Sequence, residues 1–256
     1  MILNYIDKGE GKPIVFLHGL AASLNYWNSY VAELSKTNRV IVVDLLGFGR
    51  SPQSASDYTP ETHVQAIRQT LESLNVHEPL TLVGHSMGAL IALKFAAGFP
   101  NEISRLVLAG MPIFKSEEEA KKDITKSKKR FKYAYYGLSS RVLCTTWCYA
   151  LRPISKRLAP LYLPKLPKAV AEDSVLHTWR SYSESLHNVI EAQNVSEDLH
   201  KLKIPTVLIY GNKDSQVVLR NAKLPKVIPE HVDVVILEGT HNLPLEKQKE
   251  VLGFIR

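Results

Sequence analysis

The pentapeptide Gly84-His85-Ser86-Met87-Gly88 lies where an apolar strand-like run, residues 80–83, passes into an apolar-faced helical segment. Such a reversal is so sharp that the positions two before and two after its centre must lack side-chain bulk, and both are glycine. The turn would present the Ser86 hydroxyl above a sheet, next to the N-terminal end of the helix, where unpaired N–H groups favour negative charge. The sequence therefore predicts a nucleophilic serine on an α/β scaffold.

A serine hydroxyl is a weak nucleophile unless a histidine accepts its proton and an acid fixes the tautomer of that histidine. On such a scaffold the acid and then the histidine follow the serine, each in a loop after a strand. The apolar run 205–210 leads into Asp214, and the apolar run 234–237 leads into a loop that contains His241. We therefore predict that Ser86, Asp214 and His241 form a catalytic triad.

Other titratable residues near these turns fit the pattern less well. His18 and His85 lie beside their turns, Asp233 begins a strand, and Glu238 precedes the turn of its loop. A single histidine or aspartate is more often structural, whereas three complementary residues at the carboxyl ends of strands, in the required order, indicate a functional site.

Together these motifs resemble the α/β-hydrolase family, and the resemblance extends along nearly the whole chain. Residues 16–20, Phe-Leu-His-Gly-Leu, look like the family's His-Gly turn at the end of a strand. The resemblance implies an oxyanion hole formed by the backbone N–H groups of Leu20 and Met87, with Gly19 letting the backbone come close to the substrate.

Residues 44–51 are similar to the Asp-x-x-Gly-x-Gly-x-Ser loop that is common in this family, and we interpret them as a structural turn. The third glycine of a dinucleotide fingerprint is missing, and no Gly-Lys-Ser/Thr motif occurs in the chain. Nucleotide binding is therefore rejected.

The order of apolar segments predicts an α/β fold with a doubly wound, mostly parallel sheet, covered by helices on both faces. We expect helices over residues 25–34, after a cap at Thr59-Pro60, and from the elbow to Gly98. The predicted strands are residues 2–5, 13–18, 39–44, 80–84, 105–110, 206–211 and 233–238.

Between residues 111 and 203 the strand pattern stops, and prolines separate several helical segments. The family often inserts a helical cap over the nucleophile, where it excludes water and forms an apolar pocket. We therefore predict a hydrolase core at residues 1–111 and 204–256 and a helical cap at 112–203. Eight aromatic or leucine side chains either line the pocket or, for most of them, pack the cap's own core: Tyr133, Tyr135, Tyr136, Leu143, Trp147, Leu151, Trp179 and Tyr182.

Basic residues are concentrated in this insert. Residues 115–168 carry 14 Lys or Arg and 4 Asp or Glu, a net charge of +10 (14 − 4), whereas the whole chain carries +7. This asymmetry indicates either a solvated helical face or an acidic partner: an acyl carrier protein, as the resemblance to pimeloyl-carrier methyl-ester esterases suggests, an anionic membrane surface, or an acidic substrate. No nucleic-acid module accompanies the charge, so we expect no nucleic-acid partner.

The composition limits which other kinds of protein this chain could be. With 256 residues, 45% of them hydrophobic, the chain can bury a core without disulfides or metals. Cys144 and Cys148 have no Cys/His cluster beside them in the sequence, so we expect packing residues and neither a metal nor a cofactor. The chain begins almost directly with a strand and shows no signal peptide or apolar run of about 18 residues, which predicts a cytoplasmic protein without a transmembrane segment.

The triad and the resemblance together predict a serine hydrolase that cleaves carboxylic esters of short-to-medium acyl chains, as small-molecule substrates, through an acyl-enzyme. A serine at the elbow, in place of aspartate, excludes the dehalogenase and epoxide-hydrolase chemistries of the family. The same residues leave other reactions open, namely cleavage of thioesters, lactones or carbon–carbon bonds and cofactor-free perhydrolysis. A ligand receptor of this fold is the non-enzymatic alternative.

Overall fold

The computed structural model describes residues 1–55, 57–126, 137–217, 219–223 and 228–256. Its strands are β1 (Tyr5–Lys8), β2 (Pro13–Leu17), β3 (Arg39–Val43), β4 (Leu80–His85), β5 (Ile103–Ala109), β6 (Thr206–Gly211) and β7 (Val232–Leu237). Its α-helices are α1 (Asn28–Leu34), α2 (Pro60–Ser73), α3 (Met87–Gly98), α4 (Glu117–Lys126), α5 (Arg141–Cys144), α6 (Arg152–Tyr162), α7 (Lys168–Asp173), α8 (Trp179–Ser185), α9 (Val195–Lys201), α10 (Leu243–Glu246) and α11 (Gln248–Ile255). Short 3-10 helices span Leu24–Trp27, Pro100–Glu102 and Asn221–Lys223, and π-helices span Thr145–Ala150 and Leu186–Glu191.

The strands form one sheet in the order β1-β3-β2-β4-β5-β6-β7. Strand β1 pairs antiparallel with β3, whereas β2 to β7 pair in parallel. The chain passes from β2 outward to β3 and then returns to the other side of β2 as β4, so the strand order reverses between β2 and β4. The predicted α/β fold with a doubly wound, mostly parallel sheet is confirmed, and in such sheets ligands bind beside this reversal, at the carboxyl ends of the strands.

Apolar side chains cover both faces of the sheet. Successive residues of a strand point to opposite faces, and along β2 Val15 and Leu17 pack into one apolar cluster while Ile14 and Phe16 pack into another. Because both faces are covered, the central strands read as nearly continuous apolar runs.

The first strand lies three residues later than predicted, at Tyr5–Lys8 instead of 2–5. Leu3 is buried, but its N–H donates to Thr70 Oγ1 of α2 at 3.0 Å and not to a strand. The N–H of Asn4 donates to Ser51 Oγ at 2.9 Å. The apolar start of the chain therefore reflects packing against a helix, and the residues that pair form a half-exposed edge strand.

Helix boundaries follow the predicted capping signals at two places and depart from them at one. The Thr59 side chain accepts the N–H of Thr62 at 3.2 Å, with Pro60 as the first residue of α2. Helix α3 ends at Gly98 as expected. The predicted helix 25–34 instead begins as the 3-10 turn Leu24–Trp27 before α1 follows.

The insert between β5 and β6 contains helices and no strand among its described positions. It has a small apolar cluster of its own, made of Cys144, Cys148 and Val175 with Leu138, Trp147 and Trp179 packed against it. Leu143 and Leu151 are exposed, and Tyr133, Tyr135 and Tyr136 lie outside the described residues. The division into a core and a cap stays a prediction. Over the part of the chain that is described, no helix combines the length and apolar character needed to cross a bilayer.

Asp44 organises the loop of residues 44–51. Its carboxylate accepts the N–H groups of Leu24 at 2.7 Å and Arg50 at 2.8 Å. Gly49 has a φ of +56°, and a Cβ there would lie 2.2–2.4 Å from the Asp44 carboxylate. The loop is therefore a tight turn wrapped around a buried acid, which agrees with its structural interpretation.

We expect Gly49→Ala to lower the free energy of unfolding by at least about 2 kcal/mol, because the new Cβ meets the carboxylate in a backbone conformation that disfavours side chains. The matched control is Gly253→Ala in α11, where a Cβ meets no atom within 4 Å. This control should raise stability by about 0.5–1 kcal/mol. Urea unfolding of the two variants measures both changes, and equal effects would contradict the role of Gly49.

Candidate active site

Ser86 occupies a strained position between β4 and α3. Its φ of 54° and ψ of −119° lie in a region that residues with a side chain rarely adopt. A Cβ on Gly84 would lie 2.4 Å from the carbonyl oxygen of Gly88, and a Cβ on Gly88 would lie 2.5 Å from those of Leu17 and His18. Glycine is therefore required on both sides of the serine, and the half-buried Ser86 is held in a sharp turn among buried neighbours.

Gly19 lies directly against the serine. A Cβ on Gly19 would be 3.2 Å from Ser86 Cβ. This contact follows from the sheet order, because β2 and β4 are neighbours and their carboxyl ends share one edge. Leu20 continues the turn after Gly19, and the buried Met87 begins α3. The residues predicted to bind substrate thus flank Ser86, while the role of the Leu20 and Met87 N–H groups stays a prediction.

Asp214 and His241 are joined side chain to side chain, with His241 Nδ1 2.8 Å from Asp214 Oδ2 and both residues buried. Burial by itself raises the pKa of the Asp214 carboxyl, but the hydrogen bonds from His241 and from the N–H of Gln216 outweigh it. The pKa of Asp214 therefore lies below its usual range. An ionised carboxylate accepts the proton on Nδ1, which leaves Nε2 of His241 as the nitrogen able to accept another.

The His241 ring lies near the carboxyl ends of β4 and β5, with its centroid 4.9 Å from that of His85. Strand β7 is three strands from β4, about 14 Å at the usual strand spacing. A Cβ on Gly110, whose φ is +57°, would lie 3.3 Å from Nδ1 and Cε1 of His241, so the ring rests on this glycine. The N–H of Ser86 donates to the carbonyl oxygen of Ala109 at 2.9 Å. The imidazole therefore lies against Gly110, and the serine is hydrogen-bonded to Ala109, the residue just before it at the end of β5.

His85 positions the backbone of His241, a role that the sequence analysis missed. Its Nε2 donates to the carbonyl oxygen of His241 at 2.9 Å, and its ring stacks on Tyr26 with 4.6 Å between centroids. Burial lowers the pKa of His85 to about 3, so the ring stays neutral. The two partners are 156 residues apart, and no local pattern in the sequence links them.

His18 uses both of its ring nitrogens inside the protein. Its Nε2 accepts the N–H of Leu45 at 2.9 Å, and Nδ1 therefore carries the proton and donates to the carbonyl oxygen of Gly19 at 2.7 Å. Burial lowers the pKa of His18. This arrangement excludes His18 as a general base and makes it a support for the Gly19 turn.

Glu246 in α10 supports the residue before the histidine. Its carboxylate accepts the N–H of Thr240 at 2.7 Å and the Thr240 hydroxyl at 2.6 Å. Sequence reasoning missed Glu246 as well, because no motif marks an acid that caps a loop from the following helix.

Among the residues that the structure describes, two groups of side chains could hold a metal ion. Cys144, Cys148 and His177 are buried, with their ligand atoms within 4.8 Å of one another, and His177 Nδ1 lies 3.8 Å from Cys144 Sγ. The expectation that no Cys/His cluster accompanies the two cysteines is therefore wrong: the fold of the insert brings in a histidine 33 residues after Cys144. Their expected role in packing does hold, since both lie in the insert's apolar cluster. The second group, on helices of the insert, is Glu117, His187 and Glu191.

Comparison with known proteins agrees with this fold. The sequence profile of the alpha/beta hydrolase fold matches residues 12–248. The probable lysophospholipase BODYGUARD 5 of Arabidopsis thaliana is 29% identical over 95% of this chain and 61% of its own length. Lipase 1 of Psychrobacter immobilis is 26% identical over 94% of this chain and 75% of its own. The crystal structure of a bromoperoxidase from Bacillus anthracis has a TM-score of 0.73 and 25% identity, and the match covers 96% of this chain and 91% of that one.

The doubly wound sheet and the strained serine turn define an α/β protein whose candidate site lies at the carboxyl edge of the strands. With the profile matching most of its length, the chain belongs to the α/β-hydrolase family. The chain spans between 36% and 61% of the length of the first two curated relatives that it matches.

Acidification should destabilise the fold through its buried neutral histidines. Burial lowers the pKa of His63 to about 3, whereas an unfolded histidine titrates near 6.5. Between these values the unfolded chain binds the extra proton, so the free energy of unfolding falls with falling pH, by about 2 kcal/mol per histidine from pH 7 to pH 5. Urea unfolding at both pH values should show a smaller fall for His63→Gln than for the unaltered chain. Identical falls would contradict the neutral state of His63.

Proposed function

We propose that this protein hydrolyses carboxylic esters with short-to-medium acyl chains through an acyl-enzyme on Ser86. The observation that carries the proposal is the hydrogen-bonded His241–Asp214 pair, whose imidazole lies against Gly110, next to the Ala109 carbonyl that accepts the N–H of the strained Ser86. The names of the relatives, a lipase and a probable lysophospholipase, support an ester as the bond that is cleaved.

The first half of the reaction uses groups at the carboxyl edge of the sheet. Nε2 of His241 accepts the proton of Ser86 Oγ as this oxygen attacks the ester carbonyl carbon. The backbone N–H groups of Leu20 and Met87 stabilise the negative oxygen, and Gly19 allows the carbonyl to come close to them. The intermediate then expels the alcohol, which takes its proton from His241.

The second half releases the acid. His241, again neutral, removes a proton from water, and the hydroxide attacks the acyl carbon. The intermediate collapses to the free carboxylic acid, and His241 returns the proton to Ser86 Oγ. Asp214 stays ionised throughout, holding the Nδ1 proton and stabilising the imidazolium.

The insert fits the role of a cap because polar contacts hold it beside the serine turn. Asp173, at the end of α7, accepts hydrogen bonds from Ser23 Oγ at 2.9 Å and Asn25 Nδ2 at 2.6 Å. Both donors follow Gly19 by only a few residues. Helices anchored there would exclude water from the acyl-enzyme and supply the apolar pocket for the acyl chain.

Ser86→Ala should lower ester turnover by at least about 10³-fold, because no other group replaces the attacking oxygen. The assay is a panel of p-nitrophenyl and methyl esters of increasing acyl length, whose optimum also measures the pocket. Ser29→Ala, an exposed serine on α1, is the matched control and should leave turnover unchanged. Near-native turnover by pure Ser86→Ala protein would refute the nucleophile, and no turnover by the unaltered chain would favour a receptor.

Asp214→Asn should lower kcat by about 10³–10⁴-fold with little change in KM, because the amide favours the wrong tautomer of His241. Asp233→Asn, at an exposed aspartate at the start of β7, is the matched control and should keep full activity. If the two variants lose activity equally, or Asp214→Asn loses none, the acid of the triad lies elsewhere.

A further inference from the structure

Large apolar side chains that face solvent are concentrated in one part of the insert. Of the 12 such residues found in the described chain, eight fall between residues 142 and 163. These eight are Val142, Leu143, Tyr149, Leu151, Ile154, Leu161, Tyr162 and Leu163. Val142 and Leu161 are 74% and 73% exposed, so they contribute almost nothing to the folded core.

In helix α6 the exposed apolar side chains lie on one face and the buried residues on the other. Ile154 and Leu161 are seven residues apart and therefore share one face of the helix, with the exposed Arg157 between them. The opposite face holds Ser155 and Ala159, which are buried. The helix thus has an inner side packed on the protein and an outer side on which leucine and isoleucine face water.

Side-chain contacts join α6 to the preceding π-helix, Thr145–Ala150. The guanidinium of Arg152 lies 5.5 Å from the ring centroid of Tyr149. The rings of Trp147 and Tyr162 are 6.4 Å apart. We call the surface formed by the exposed residues of 141–165 the apolar-basic face.

The charged residues of the apolar-basic face are all positive. Residues 141–165 contain five Lys or Arg and no Asp or Glu. Lys156 lies 3.2 Å from Asp173 of the insert, and the guanidinium of Arg152 donates to the carbonyl oxygens of Cys148 and His177. Arg157 and Lys165 form no ion pair with any residue that the structure describes, and both are exposed.

We propose that the apolar-basic face docks on the surface of an anionic lipid bilayer. Leucine, isoleucine and tyrosine side chains would enter the boundary between headgroups and acyl chains, and the basic residues would pair with the lipid phosphates. An acidic protein partner would satisfy the basic residues but would not explain why large apolar side chains point outward between them. The proposal goes beyond the hydrolase activity, because docking does not require the triad.

The test uses the full chain carrying Ser86→Ala, so that lipid hydrolysis cannot alter the vesicles. Binding is measured by co-sedimentation with vesicles of phosphatidylglycerol and phosphatidylcholine in equal parts, and with vesicles of phosphatidylcholine alone. We expect binding to the anionic vesicles to be at least tenfold tighter, and to weaken between 50 and 500 mM NaCl because salt screens the basic residues.

Paired variants separate the two components of the face. Leu161→Ser should weaken binding about tenfold through loss of apolar area, whereas Ile236→Ser, at an exposed isoleucine of β7, should not. Arg157→Glu with Lys165→Glu should weaken binding at least tenfold, whereas Lys12→Glu with Lys249→Glu, two exposed lysines of the sheet domain, should not. All six positions are exposed, and circular dichroism confirms that each of the four variants is folded.

Three results would overturn the proposal. The first is no binding to anionic vesicles by the folded chain. The second is equal binding by Leu161→Ser and Ile236→Ser. The third is binding to a purified acyl carrier protein, but not to vesicles, that depends on Arg157 and Lys165 and ignores Leu161. Ester turnover by the unaltered chain is measured separately, so failure of docking and failure of the hydrolase assignment are distinguishable.

Discussion

The close approach of strand β4, helix α3 and the turn after β2 is the constraint on which the site depends. At Gly84 and Gly88 a Cβ would collide with neighbouring backbone, and at Gly19 it would lie in tight contact with Ser86 Cβ, 3.2 Å away. Because the strand order reverses between β2 and β4, the two strands end side by side and the turn of one reaches the serine of the other. The strained φ of Ser86 is therefore held by packing on several sides, which is the condition under which such strain persists.

His241 is held by His85 and Asp214, and burial and hydrogen bonding determine the charge of both residues. Burial acts on both His85 and Asp214, and in each case it favours the neutral form. At His85 burial prevails and the pKa falls to about 3, so a neutral ring remains to hold the backbone of His241. At Asp214 two hydrogen-bond donors reverse the effect, and the pKa lies below its usual range. One buried pocket thus contains a neutral positioning ring and a carboxylate that remains charged.

The sequence could predict the features that local pattern determines. Buried parallel strands are nearly continuous apolar runs, and the elbow glycines are required by sterics, so the sheet and the position of Ser86 were accessible. The first strand was misplaced because Leu3 is buried in the apolar core while its N–H donates to Thr70 of a helix and not to a neighbouring strand. The role of His85 and the meeting of His177 with the cysteines escaped prediction because each depends on a distant contact. Such contacts are set by how elements pack, and a single sequence carries no periodic signal for them.

Helices α6 and α7 of the insert share a polar contact to the segment after β2, and α6 presents apolar groups on its outer side. Asp173 accepts hydrogen bonds from Ser23 and Asn25 and pairs with Lys156 of α6. The helix that carries Ile154 and Leu161 outward is therefore fixed, through one buried carboxylate, to the segment that follows Gly19. Loss of the Asp173 carboxylate would leave three donors without their acceptor. This would lower the free energy of unfolding more than the loss of an apolar contact of similar size. A helix with apolar groups on both sides would have no preferred face, whereas this polar attachment determines which face turns away from the protein.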